Sequence, residues 1–103
     1  MRRKKSVPYT QGLYKRLQNP EYAKGYLMAC LESDEEGWEQ TFLLALRDVA
    51  KAYGFKNISA KTKLGRESLY KAISIKGNPK LSTLISILDA VGLKLSIETK
   101  KAA

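Results

Sequence analysis

Between Trp38 and Tyr53 the apolar residues fall at one spacing, with Trp38, Phe42, Ala45, Leu46, Val49, Ala50 and Tyr53 recurring every three or four positions. That period places them on a single face of an α-helix, whereas a strand would divide them between two faces. Such a stripe holds a helix in water only when something covers it, so the remaining chain has to supply the cover. Gly54 follows the last apolar residue and suits the C′ position, where a left-handed backbone ends a helix. Upstream, Ser33 and Glu36 have the spacing of a capping box, and Asp34 and Glu35 suit a first turn, where the helix dipole favours negative charge. The expectation is a central core helix entered through Ser33. The same dipole accounts for the acidic cluster Asp34, Glu35, Glu36 and Glu39, and with no histidine in the chain it makes a poor metal site.

The flanking segments carry weaker versions of the same pattern. Asn19-Pro20 reads as an N-cap followed by proline at the first helical position, which starts a helix over residues 20 to 32 with Tyr22, Ala23, Tyr26, Leu27, Cys30 and Leu31 as its stripe. Beyond Gly54, Asn57 caps a short helix through Thr62, with Ile58, Thr62 and Leu64 on the buried side. A second short helix runs from Arg66 to Ile73 on Leu69, Ala72 and Ile73. Gly77-Asn78-Pro79 is a loop. Leu81, Leu84, Ile85, Leu88 and Val91 mark a last helix, stopped by Gly92. Leu93, Leu95 and Ile97 alternate with polar residues as a short strand does. The expected class is all-α, five helices with a short C-terminal strand. A lone strand leaves backbone groups unpaired, so it either pairs with the same strand of a second copy or packs on the helices.

With 103 residues there is room for one core. The expected organisation is a flexible basic arm over residues 1–12, one helical domain over 13–98 and a disordered tail over 99–103. No apolar run approaches the roughly 20 residues of a membrane span. The cations Arg2, Arg3, Lys4 and Lys5 are followed by polar sequence where a signal peptide needs an apolar region. A single cysteine, Cys30, forms no internal disulfide, and the expectation is a cytoplasmic protein without membrane contact. Net charge is +9. Residues 1–5 hold +4, residues 6–54 hold five cations against seven acids, and residues 55–103 hold ten cations against three acids. That asymmetry points the C-terminal half towards a polyanion and leaves a different task for the middle. No enzyme, metal or cofactor is expected, because the chain lacks histidine and a glycine-rich phosphate loop, and its cysteine lies on an apolar helix face.

Two short helices joined by a tight turn, the second with cations outward, are the parts of a helix-turn-helix. Arg66 falls in the first turn of the second helix, where an arginine reaches guanine with two hydrogen bonds. Glu67, Tyr70 and Lys71 share its outward face: Glu67 to accept from cytosine or repel stray phosphate, Tyr70 for a phosphate or a thymine methyl, Lys71 for guanine or phosphate. Lys56, Lys61, Lys63, Lys76 and Asn78 are candidate phosphate contacts that fix register without reading sequence.

The runs GRESLYKAIS at 65 to 74, GNPKLSTL at 77 to 84 and DAVGLKL at 89 to 95, in that order and spacing, resemble the helix-turn-helix antidote proteins of bacterial addiction modules, the HigA-like antitoxins within the phage-repressor-like class. YAKGYLMACLES and WEQTFLLALRDVAKAYG are similar to the family's N-terminal helices, so the resemblance covers roughly residues 13 to 98. It implies a phage-repressor-like helix-turn-helix domain. It also implies a homodimeric antitoxin that represses its own operator on double-stranded DNA and neutralises a small RelE-like or HigB-like ribonuclease toxin. This chain departs from the family pattern in the turn, with Lys63 where glycine is usual and Gly65 where a serine or threonine N-cap is usual. Two other readings are open: an orphan phage-type repressor without a toxin, and a protein-interaction module with little DNA binding. The latter would offer aromatic surface from Tyr9, Tyr14, Tyr22, Tyr26 and Trp38.

Overall fold

The computed structural model describes residues 7–74 and 76–100, which form six α-helices: α1 Val7–Leu17, α2 Pro20–Leu31, α3 Trp38–Tyr53, α4 Phe55–Thr62, α5 Arg66–Ala72 and α6 Leu81–Ala90. The central stripe behaves as its period requires: Ala45, Leu46, Val49 and Ala50 are buried, and α3 packs against α1, α2 and α4. The second half hangs on α4, which packs against both α5 and α6 around Ile58, Leu69, Ile73 and Ile87. All these apolar side chains belong to one continuous core.

Polar ties fix how the helices sit. Asn19 caps α2 as its sequence suggests, its Oδ1 accepting from the Glu21 N–H at 2.9 Å. The Tyr26 hydroxyl donates to Asp48 Oδ2 at 2.8 Å and binds α2 to α3. The Gln18 amide donates to the Ala52 carbonyl at 3.1 Å, holding the α1–α2 turn on the end of α3. At the far end of the chain Gly92, at φ 87°, closes α6. Its N–H donates to the Asp89 carbonyl at 3.1 Å and that of Leu93 to the Leu88 carbonyl at 2.8 Å, the paired bonds of a Schellman stop.

Between the two halves there is one residue. Gly54, at φ 102° and ψ 115°, is both the C-cap of α3 and the N-cap of α4. Its N–H donates to the Ala50 carbonyl at 2.8 Å and its carbonyl accepts from the Ile58 N–H at 3.1 Å. That backbone is open to glycine and strained for other residues.

Several expectations need correction. There are six helices rather than five, because α1 was not foreseen and takes up residues 7–12 of the expected arm. Leu13 and Leu17 are its buried contacts, too few for a periodic signal, and its stability comes from packing on α3 and α2. The expected cations Arg2 to Lys5 and the last three residues lie outside the described residues. No strand forms among the described residues; 93–100 have no regular structure, and Ile97 is 95% exposed. Alternation in a segment with no neighbouring strand gives its backbone no partner, so the period alone does not make a strand.

The capping box at Ser33 does not form. Ser33 Oγ accepts from the Glu35 N–H at 3.1 Å in a local turn, and α3 starts at Trp38 behind Gly37, at φ 82°. Asn57 does not start α4 either; it lies inside that helix, and its side chain donates to the Tyr53 carbonyl at the end of α3 at 3.0 Å. On α6 the buried residues are Ile87, Leu88 and Ala90, whereas Leu81 and Ile85 are exposed.

Candidate nucleic-acid interface

The turn between α4 and α5 has three residues, and their backbone shapes follow from local hydrogen bonds. Thr62 Oγ1 donates to the Ile58 carbonyl at 2.7 Å and accepts from the Leu64 N–H at 3.2 Å, bracing the chain as it leaves α4. Lys63 is left-handed at φ 64° and ψ 12°, the one such non-glycine among the described residues. A side chain there costs about 1 kcal/mol or more. Leu64 turns in against the core. Gly65 is extended at φ −67° and ψ 154°, and α5 starts on its carbonyl, which accepts from the Leu69 N–H at 2.9 Å.

Leu69 and Ile73 are fully buried, so the rotation of α5 about its axis is fixed. Arg66, Glu67, Ser68, Tyr70 and Lys71 are therefore all exposed. Tyr70 is steadied from α4: its ring centroid lies 4.4 Å from that of Phe55 at 37°, a tilted aromatic pair. The result is a short helix, fixed by its buried side, whose outer face is polar and carries two cations and one acid. Its width suits a DNA major groove about 12 Å across.

Gly77 holds the other end of α5. A Cβ there would run into the backbone carbonyls of Lys71 and Ala72, and the Gly77 N–H donates to the Ser74 carbonyl at 2.8 Å. The loop carrying Lys76 and Asn78 is thus pressed against the last turn of α5.

A second surface feature lies where α2, the start of α3 and residues 93–98 meet. It is an open hollow of about 920 Å³ whose apolar lining includes Leu27, Met28, Leu31, Trp38, Leu43 and Leu95. Leu31 is 50% exposed and Trp38 37%. Among the described residues no group of three or more histidine, cysteine, aspartate or glutamate side chains is placed to hold a metal ion. No helix among the described residues is long and apolar enough to cross a membrane.

Residues 11–99 match a family described as probable addiction module antidote protein. The chain belongs to that family. An uncharacterized protein of Haemophilus influenzae (strain ATCC 51907 / DSM 11121 / KW20 / Rd) is 31% identical over 87 residues, covering 84% of this chain and 87% of that protein. No solved structure matches.

In this antidote protein the residues singled out from sequence are distributed unevenly. Arg66, Glu67, Tyr70 and Lys71 come together on the outer face of α5. Lys63 stands exposed in the turn, Lys56 at the start of α4, and Lys76 and Asn78 in the loop before α6. Lys61 is engaged within the protein: its Nζ donates to the Tyr53 hydroxyl and lies 3.5 Å from the Ala90 carbonyl, which turns it to the ends of α3 and α6. Two neighbours of the α5 face had no sequence signal. Arg47 of α3 lies with its guanidinium 6.0 Å from the Tyr70 ring centroid, and Ser68 sits among the cations. Arg47 is one of two cations, with Lys51, in an amphipathic helix, and its approach to α5 depends on the tertiary fold.

Cys30 takes no part in this face. Burial pushes its thiol up from the ordinary value, and its Sγ lies 3.8 Å from the Tyr26 carbonyl.

Proposed function

We propose that this antitoxin is HigA-like: α4, the turn and α5 act as a phage-repressor-type helix-turn-helix that binds the operator of its own module, and the protein neutralises a RelE-like or HigB-like toxin in the cytoplasm. The observation that carries the DNA reading is the outer face of α5, where Arg66, Tyr70 and Lys71 stand exposed on a helix locked by Leu69 and Ile73. Arg66 reads guanine, Glu67 discriminates against wrong contacts, and Lys56, Lys63, Lys76 and Asn78 hold phosphates. A homodimer on two half-sites about one DNA turn apart completes the repressor.

The test is equilibrium binding to the module's own promoter and to a scrambled duplex across a salt series, for the native chain and Arg66→Ala. The expected outcome is tighter binding to the promoter, with the substitution removing about 1–3 kcal/mol of that preference. Equal, weak binding to both duplexes that vanishes with salt would overturn sequence reading.

The second reading, a toxin-binding module with little DNA binding, draws on the apolar hollow beside Trp38, since exposed tryptophan and methionine in a concave patch are typical anchors of protein interfaces. Toxin capture that survives while promoter binding is absent would favour it.

A further inference from the structure

Arg47 lies on α3, outside the two-helix unit, yet it borders the face of α5. Its Nε is enclosed and has no hydrogen-bond partner among the described residues. Its guanidinium carbon sits 6.0 Å from the centre of the Tyr70 ring, at the outer limit of a cation–π contact. An open hollow of about 560 Å³ begins there, lined by Arg47, Glu67, Ser68, Tyr70, Lys71 and Ser74. Two cations and three hydroxyl groups thus meet one carboxylate around a space open to solvent. With Nε enclosed, the terminal nitrogens of the guanidinium are the donors left for an outside group, and the planar fork of arginine matches phosphate oxygens.

We propose that Arg47, with Lys71, grips a backbone phosphate of the DNA and so fixes how α5 lies in the groove. This rests on the DNA-binding reading above. A phosphodiester fits better than a base edge, because the hollow lies where the side of α5 meets α3, and the strands flanking an inserted helix present their phosphates there. A single negative charge also suits a site with two cations and one acid. Tyr70 has a positioning role, its ring braced by Phe55 on α4 and neighboured by the guanidinium.

The experiment measures binding of the full chain to promoter and scrambled duplexes across salt, for the native protein, Arg47→Met and Arg47→Gln, with thermal melting as a check on folding. Methionine preserves apolar stem and removes charge; glutamine serves if methionine fails to fold. Loss of a phosphate contact weakens both duplexes by the same factor, about tenfold, and lowers the salt slope by about one, leaving the preference for the promoter unchanged. Native affinity and slope in a folded variant would overturn the phosphate contact while leaving the DNA reading intact. A changed preference at an unchanged slope would also overturn it, since Arg47 would then act on base reading through Tyr70. If the native chain binds neither duplex, the DNA reading itself fails and the phosphate contact falls with it.

Discussion

At the scale of single residues, backbone strain and a proposed phosphate contact coincide at Lys63. Its left-handed backbone suits glycine, and its exposed side chain stands in the turn leading to Arg66. Lys63→Gly relieves the strain, with an expected gain of about 1 kcal/mol in stability by denaturant unfolding. If Lys63 contacts a phosphate, the same variant binds every duplex more weakly, and stability and affinity move in opposite directions. Cys30 makes the opposite case, a reactive type whose thiolate the fold disfavours. Burial raises its thiol pKa, so the thiolate forms only at higher pH than in a free cysteine. Alkylation of the folded chain is expected to be slower than that of unfolded chain at the same pH. The thiol's neutral form is favoured by the fold, so this contribution to stability holds at neutral pH and is lost as pH rises through the thiolate range.

At the scale of elements, legibility follows the origin of each signal. The stripe from Phe42 to Tyr53 and the Asn19-Pro20 start were readable because their causes are local: a period and a cap. The outward face of α5 was readable for the same reason, as the complement of Leu69 and Ile73. The start of α3 differs from the capping-box pattern because Ser33 offers its oxygen to a nearer N–H than the one a capping box needs, and Gly37 supplies the entry without a side-chain cap. Helix α1, the missing strand and the place of Arg47 all depend on contacts distant in sequence, which no local pattern records. Gly77 is legible only with the structure in view: its closeness to the carbonyls of Lys71 and Ala72 holds the loop to α5. Gly77→Ala must shift that loop, and the expected cost is on the order of 1–3 kcal/mol in unfolding experiments, in line with overpacking elsewhere.

At the scale of the whole molecule, an N-terminal group of α1, α2 and α3 joins a C-terminal group of α4, α5 and α6 with no linker. Gly54→Ala places a side chain at φ 102°, with its Cβ 3.0 Å from the Asn57 amide nitrogen. The expected loss is about 1–3 kcal/mol, read as a lowered melting temperature. Because Gly54 is the whole connection between α3 and α4, one residue inserted there would displace α5 relative to α3, and with it the approach of Arg47 to the Tyr70 ring. The corner at Gly54 therefore acts as a frame of reference for the α5 face. A change in the length of chain between Tyr53 and Phe55 would shift everything from α4 onward against α3.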